Sequence, residues 1–170
     1  MALVLNGDGN VTGLTAGGLP DGSITQADLA SSVTSLINGP TFRAVRTDQF
    51  NPSGSTWTKV PLAIESFDTN NNFDNATNYR FTPTVAGYYQ FNLHAYFTGS
   101  PGEAYVSLQK NGSQVGYAVY IGSGTGWWDG MYSDITPANG TTDYFEMWVY
   151  ATGSPAIFQM FMSGALIRGL

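Results

Sequence analysis

The chain has 170 residues, of which 42% are hydrophobic, 14% aromatic and only 11% charged. That balance suits one folded domain with a polar, uncharged surface and excludes a disordered chain. A net charge of −6 and a pI near 4.3 set it against nucleic acid and anionic membranes, which select Lys and Arg, and the absence of cysteine excludes disulfides, thiolate chemistry and cysteine-ligated zinc.

Residues 1–40 contain no aromatic residue and no Lys or Arg, whereas every aromatic falls in 42–170. Gly39-Pro40 breaks regular structure, so the expected division is an arm over 1–40 and a head over 41–170. The run Met1–Leu5 is too short for an export signal and has no basic flank, and nowhere does the chain reach the ~18 apolar residues of a membrane helix. A protein of this kind acting outside the cell is expected to leave by another route, such as release in a particle. Within the arm, Thr25 can cap a helix and Asp28 suits its positive end. Leu29, Val33, Leu36 and Ile37 recur at i, i+4, i+7 and i+8, predicting a helix over about 25–37. Such a helix is marginal alone, so its stripe must be covered. The covers left open are its own head, copies of itself in other chains with Leu29, Val33 and Leu36 as contacts, or a docking partner.

The head reads as β throughout. Predicted strands are Phe42–Arg46, Trp57–Val60 and Leu62–Glu65, followed by a long strand in which Tyr89, Phe91, Leu93, Ala95 and Phe97 alternate with polar or amphipathic neighbours. Ala104, Val106 and Leu108 alternate in the next strand, which runs into Asn111-Gly112, a strong hairpin signal, and returns over Gln114–Tyr120. Trp127–Ile135 follows. Then Phe145, Met147, Val149 and Ala151 alternate with Tyr144, Glu146, Trp148 and Tyr150, and Phe158–Leu166 closes the chain. Turn-forming clusters between these runs indicate a sandwich or jelly roll. Tyr144, Trp148 and Tyr150 load one face of their strand with large rings. Such a face calls for a subunit contact or for a covering sheet or loop.

The stretch Phe67–Phe91 resembles the signature of the complement one-q globular-head family, a branch of the tumour-necrosis-factor-like jelly rolls. Phe81, Gly87, Tyr89 and Phe91 fit its spacing. Leu93 stands where the family prefers an aromatic, and Phe73 lies one residue further from Phe81 than the pattern asks. Phe161–Ile167 resembles the family's closing strand, and Leu108–Gly112 its central hairpin. The resemblance spans about 42–170. It implies an all-β, ten-strand jelly-roll sandwich that forms homotrimers and works in binding or structure, without catalysis or cofactors. Phe81, Tyr89 and Phe91 are expected in the core, and Gly87 is expected to supply a turn conformation that other residues dislike. Residues 1–40 lack the Gly-X-Y repeat of collagen stalks. Their Gly-rich openings, Met1–Leu14 and Asp21–Ala30, instead resemble small fibre and virion proteins of tailed bacteriophages. The implied layout is a virion protein whose arm joins baseplate, tail or capsid proteins and whose trimeric head meets the host surface.

Catalytic and metal signatures are absent. His94 is the one histidine and has no Cys or second His to share a metal. Asp68–Asn72 opens like a calcium loop, but positions six and twelve are Phe73 and Tyr79 where Gly and Glu are needed. Gly122–Gly126 is glycine-rich without the Lys of a phosphate loop. Asp129, Asp134, Asp143 and Glu146 could in principle pair for glycoside cleavage, though their spacing does not argue for it. Trp127, Trp128 and Tyr132, with Asp129 beside them, are the candidate host-glycan contacts, because aromatic faces next to polar groups suit sugars. The competing reading puts one tryptophan ring in the core and the other in a subunit interface.

Overall fold

The computed structural model describes residues 4–5, 11–12, 39–99, 102–118, 126–153 and 155–170. The helix expected over 25–37, with Leu29, Val33 and Leu36, lies outside the described residues. Strands β1 (Val4–Leu5) and β2 (Val11–Thr12) pair antiparallel.

Among the described residues from 41 onward, eleven strands, numbered along the chain, form two antiparallel sheets. One contains β3 (Thr41–Arg46), β5 (Ile64–Asp68), β8 (Gly87–Gly99), β11 (Gly126–Ala138) and β13 (Ala156–Gly169), in the order β11-β8-β13-β3-β5. The other contains β6 (Phe73–Asp74), β7 (Arg80–Phe81), β9 (Ala104–Lys110), β10 (Ser113–Ala118) and β12 (Phe145–Ala151), in the order β10-β9-β12-β7-β6. A short β4 (Thr58–Lys59) also pairs with β12. The described residues hold eleven strands where ten were expected, and β6 and β7, at two residues each, are too short to show a period.

The alternation read from the sequence is the packing pattern. Tyr89, Phe91, Leu93, Ala95 and Phe97 of β8 all point between the sheets and are buried. They meet Val106 and Leu108 of β9 and Phe145, Met147 and Val149 of β12. Rings interlock at one end: Phe42 stacks on Phe81 at 4.1 Å, and Phe91 tilts against Phe145 at 4.5 Å. Burying each such side chain contributes roughly 1.5–3 kcal/mol. The Tyr89 hydroxyl, carried into this core, donates to Val85 O at 2.7 Å, and burial pushes its pKa up.

At the hairpin, Asn111 and Gly112 have φ of 53° and 75°, and Lys110 pairs with Ser113, the geometry of a type I′ turn. Gly87 differs from the expectation. Its φ is not in the left-handed region. Glycine is required there because β13 approaches so closely that a Cβ would lie 2.4 Å from both Arg168 O and Leu166 Cδ1.

Candidate functional site

Two outward faces remain, one per sheet. On the five-stranded sheet, odd residues of β11 point outward and even ones inward. Trp127, Met131 and Ile135 are 66%, 67% and 52% exposed. On the opposite edge Ile64 and Phe67 are 47% and 46% exposed. Between these apolar margins runs a polar centre, where Gln90 Nε2 donates to Ser133 Oγ at 2.6 Å and Ser133 Oγ to Asn92 Oδ1 at 2.9 Å. His94 stacks on Phe161 at 5.1 Å, and the Arg43 guanidinium lies 4.8 Å from the same ring. Both His94 nitrogens face oxygen acceptors, Nε2 at 2.8 Å from Asp129 Oδ1 and Nδ1 at 3.0 Å from Gln159 O. A neutral ring can donate to only one of them.

The parity of β11 divides the four candidate glycan contacts. Trp127 and Asp129 share the outward face, with Trp127 stacked on Tyr96 at 5.2 Å. Trp128 and Tyr132 turn inward and pack against the core. The Tyr132 hydroxyl donates to Asp134 Oδ2 at 2.6 Å, and burial, reinforced by that carboxylate, pushes its pKa up. Trp127 and Asp129 thus lie on one face of β11, and the half-buried Trp128 and Tyr132 on the other.

The outer rings of the six-stranded sheet have partners within the chain. Arg80 lies over Tyr144 at 4.4 Å. Trp148 Nε1 donates to Glu146 Oε2 at 3.0 Å. Tyr150 meets Trp57 at 5.6 Å and Tyr105 at 5.7 Å. Sequence reasoning missed what these rings build. Trp57, Tyr105, Tyr117 and Tyr150 line a groove of about 270 Å³, with Glu103 and Gln114 at its rim.

The acidic residues considered for catalysis are each engaged separately. Asp129 meets His94, Asp134 the Tyr132 hydroxyl, and Glu146 the Lys59 ammonium at 3.0 Å. Asp143 is buried, which disfavours its charge, yet Lys110, Asn111 and Asn139 hold its pKa below the ordinary carboxylate value. Asp68 closes its own turn by accepting from Phe73 N at 2.6 Å. Among the described residues no three His, Asp or Glu side chains gather closely enough to hold a metal, and no helix is long and apolar enough to cross a membrane.

No family model matches the chain, and no curated protein sequence does. Solved structures do. The globular domain of zebrafish complement 1qA protein is 17% identical with a TM-score of 0.55, covering 77% of this chain and 99% of that one. PRD1 vertex protein P5 is 13% identical with a TM-score of 0.57, covering 76% and 97%. Murine APRIL is 8% identical with a TM-score of 0.59, covering 75% and 98%. At such identities the likeness is one of fold. The head is a jelly roll of the complement one-q and tumour-necrosis-factor-like type.

Proposed function

We propose that this chain is a non-enzymatic virion surface protein, a short tail or surface fibre of a tailed phage. Its trimeric head attaches the particle to host glycan, and its arm over residues 1–40 anchors it to other virion proteins. The observation that carries the reading is the outward face of the five-stranded sheet. Ile64, Phe67, Trp127, Met131 and Ile135 are about half exposed or more. These form two apolar margins on either side of a polar centre, an arrangement that suits cover by neighbouring chains. Identical copies closing around an axis give each chain the same cover. We therefore assign the seam to this face in place of Tyr144, Trp148 and Tyr150, whose rings already have partners in their own chain. Three heads on one axis also multiply weak single contacts by avidity. The separate engagement of each acidic side chain argues for a role without catalysis.

The likeness to a vertex protein favours one other reading, a capsid-decorating protein with no receptor. Adsorption competition separates the two. Purified full-length chain added in excess to host cells should reduce particle adsorption, and antibody against it should label a tail or fibre tip. Unchanged adsorption, with label on the capsid vertices, would assign the decorating role.

A further inference from the structure

We infer that the aromatic groove on the six-stranded sheet is a saccharide subsite for an uncharged pyranose unit. This rests on the reading of the head as a glycan-binding module and gives that reading a location. The groove, at about 270 Å³, lies just under the size range of drug-sized pockets and has room for a single sugar ring. Tyr105 sits among the other rings, 6.2 Å from Trp57, 5.4 Å from Tyr117 and 5.7 Å from Tyr150. Tyr117, on the outer strand β10, is 58% exposed. Tyr117 and Trp57 combine an apolar face with a polar tip, the pair of surfaces a pyranose presents in reverse through its C–H face and its hydroxyl rim.

The rim supplies the polar complement. The Glu103 carboxylate and the Gln114 amide make no side-chain hydrogen bond among the described residues. A carboxylate accepts from two adjacent hydroxyls, and an amide both donates and accepts. Charge narrows the class of sugar. Among the described residues no Lys, Arg or His lines the groove, and its one charged group is Glu103. A sialic or uronic acid would meet that carboxylate without a counter-charge. The groove also lies on the sheet opposite the proposed seam, so three copies leave three grooves open to bind together. Trp127, the other prominent exposed ring, belongs to the seam face.

The test uses the full-length chain on an array of neutral glycans ending in glucose, galactose, mannose, rhamnose or N-acetylhexosamine, beside sialylated and uronic-acid glycans. Single-site affinity for the best monosaccharide glycoside is then read by tryptophan fluorescence. Binding to neutral termini alone is expected. Tyr117→Ala and Glu103→Ala should each weaken it roughly tenfold or more, and Trp127→Ala should leave single-site affinity unchanged. Tyr117 and Glu103 are exposed, so both variants should keep the wild-type unfolding temperature. Full glycan affinity in both folded variants would overturn the groove and leave glycan attachment standing. Preference for acidic termini would also overturn the assignment. A head that binds no glycan on the array and does not compete with particles for host cells would sink the attachment reading, and the groove with it.

Discussion

Lys59 Nζ lies 3.0 Å from Glu146 Oε1 across 87 residues of sequence, and it donates to Asn78 O at the same distance. This one ammonium ties the short β4 and the turn before β7 to the start of β12. Glu146 is only 7% exposed and its second oxygen is held by Trp148 Nε1. Lys59→Met removes the counter-charge and leaves a buried carboxylate with a single donor. The expected loss is about 1–3 kcal/mol, below the figure for a fully buried pair because Lys59 is itself 32% exposed. Adding Glu146→Met to that variant should recover part of the loss. Urea unfolding midpoints of the three proteins check both steps.

Gly87→Ala should be among the most damaging single-methyl changes in the head. The added Cβ would stand 2.4 Å from the Arg168 carbonyl, a backbone atom of a paired strand that cannot rotate away. Relief requires β8 and β13 to separate at their ends. A loss of about 2 kcal/mol or more is expected, with a matching fall in unfolding temperature by calorimetry. A neutral result would show that the strands separate there at little cost.

Period-two alternation made β8, β9 and β12 legible, because one row of each is apolar and the other carries polar or amphipathic side chains. Strand β11 was legible as a strand but not in its facing. Trp127, Met131 and Ile135 make one apolar row and Trp128 and Tyr132 another, so hydrophobicity could not say which met the core. The cover over Tyr144 and Tyr150 comes from Arg80 and Trp57, distant in the chain, and no local pattern foretells it. The groove was hidden for the same reason. Its rim and two of its rings sit on one hairpin, but Trp57 and Tyr150 arrive by tertiary pairing. Strands β6 and β7 depend on a side chain: Asp74 accepts from the N–H groups of Ala76, Thr77 and Asn78 at 2.8–3.0 Å and forms the turn between them.

Acid should weaken the head through Asp143. Its carboxyl is buried, which alone would raise its pKa. The Lys110 ammonium at 2.9 Å, the Asn111 amide at 2.8 Å and the Asn139 N–H at 2.9 Å reverse that and lower it. A carboxyl lowered on folding adds stability that is complete above its unfolded value, about 4, and is lost as pH falls through the folded value. Asp74, lowered chiefly by the Thr77 and Ala76 N–H groups, has the same sign. The wild-type urea midpoint should therefore hold from neutrality to about pH 4 and then decline. Asp143→Asn should begin lower at neutral pH and decline less steeply below it. Parallel curves for the two proteins would remove Asp143 from the account.

The proposed seam can be tested without touching the core, because its loss would show as a change in mass. Met131 and Ile135 project from the same face of β11 and are 67% and 52% exposed. In a lone subunit, carboxylates there would sit in water and change stability by less than about 0.5 kcal/mol each. In a trimer seam on this face, Met131→Glu/Ile135→Glu would bury two unpaired carboxylates per chain against a neighbour, at a cost of several kcal/mol. Native mass spectrometry should give three times 18.2 kDa for the wild type and 18.2 kDa for the double variant. Tyr150→Ala should keep the trimeric mass and lose stability instead, because that ring packs on Trp57 and Tyr105 of its own chain. The opposite pair of results, a trimer with glutamates on β11 and a monomer without the Tyr150 ring, would move the seam to the six-stranded sheet. The glycan groove could not then stay open, since Tyr150 forms one of its walls.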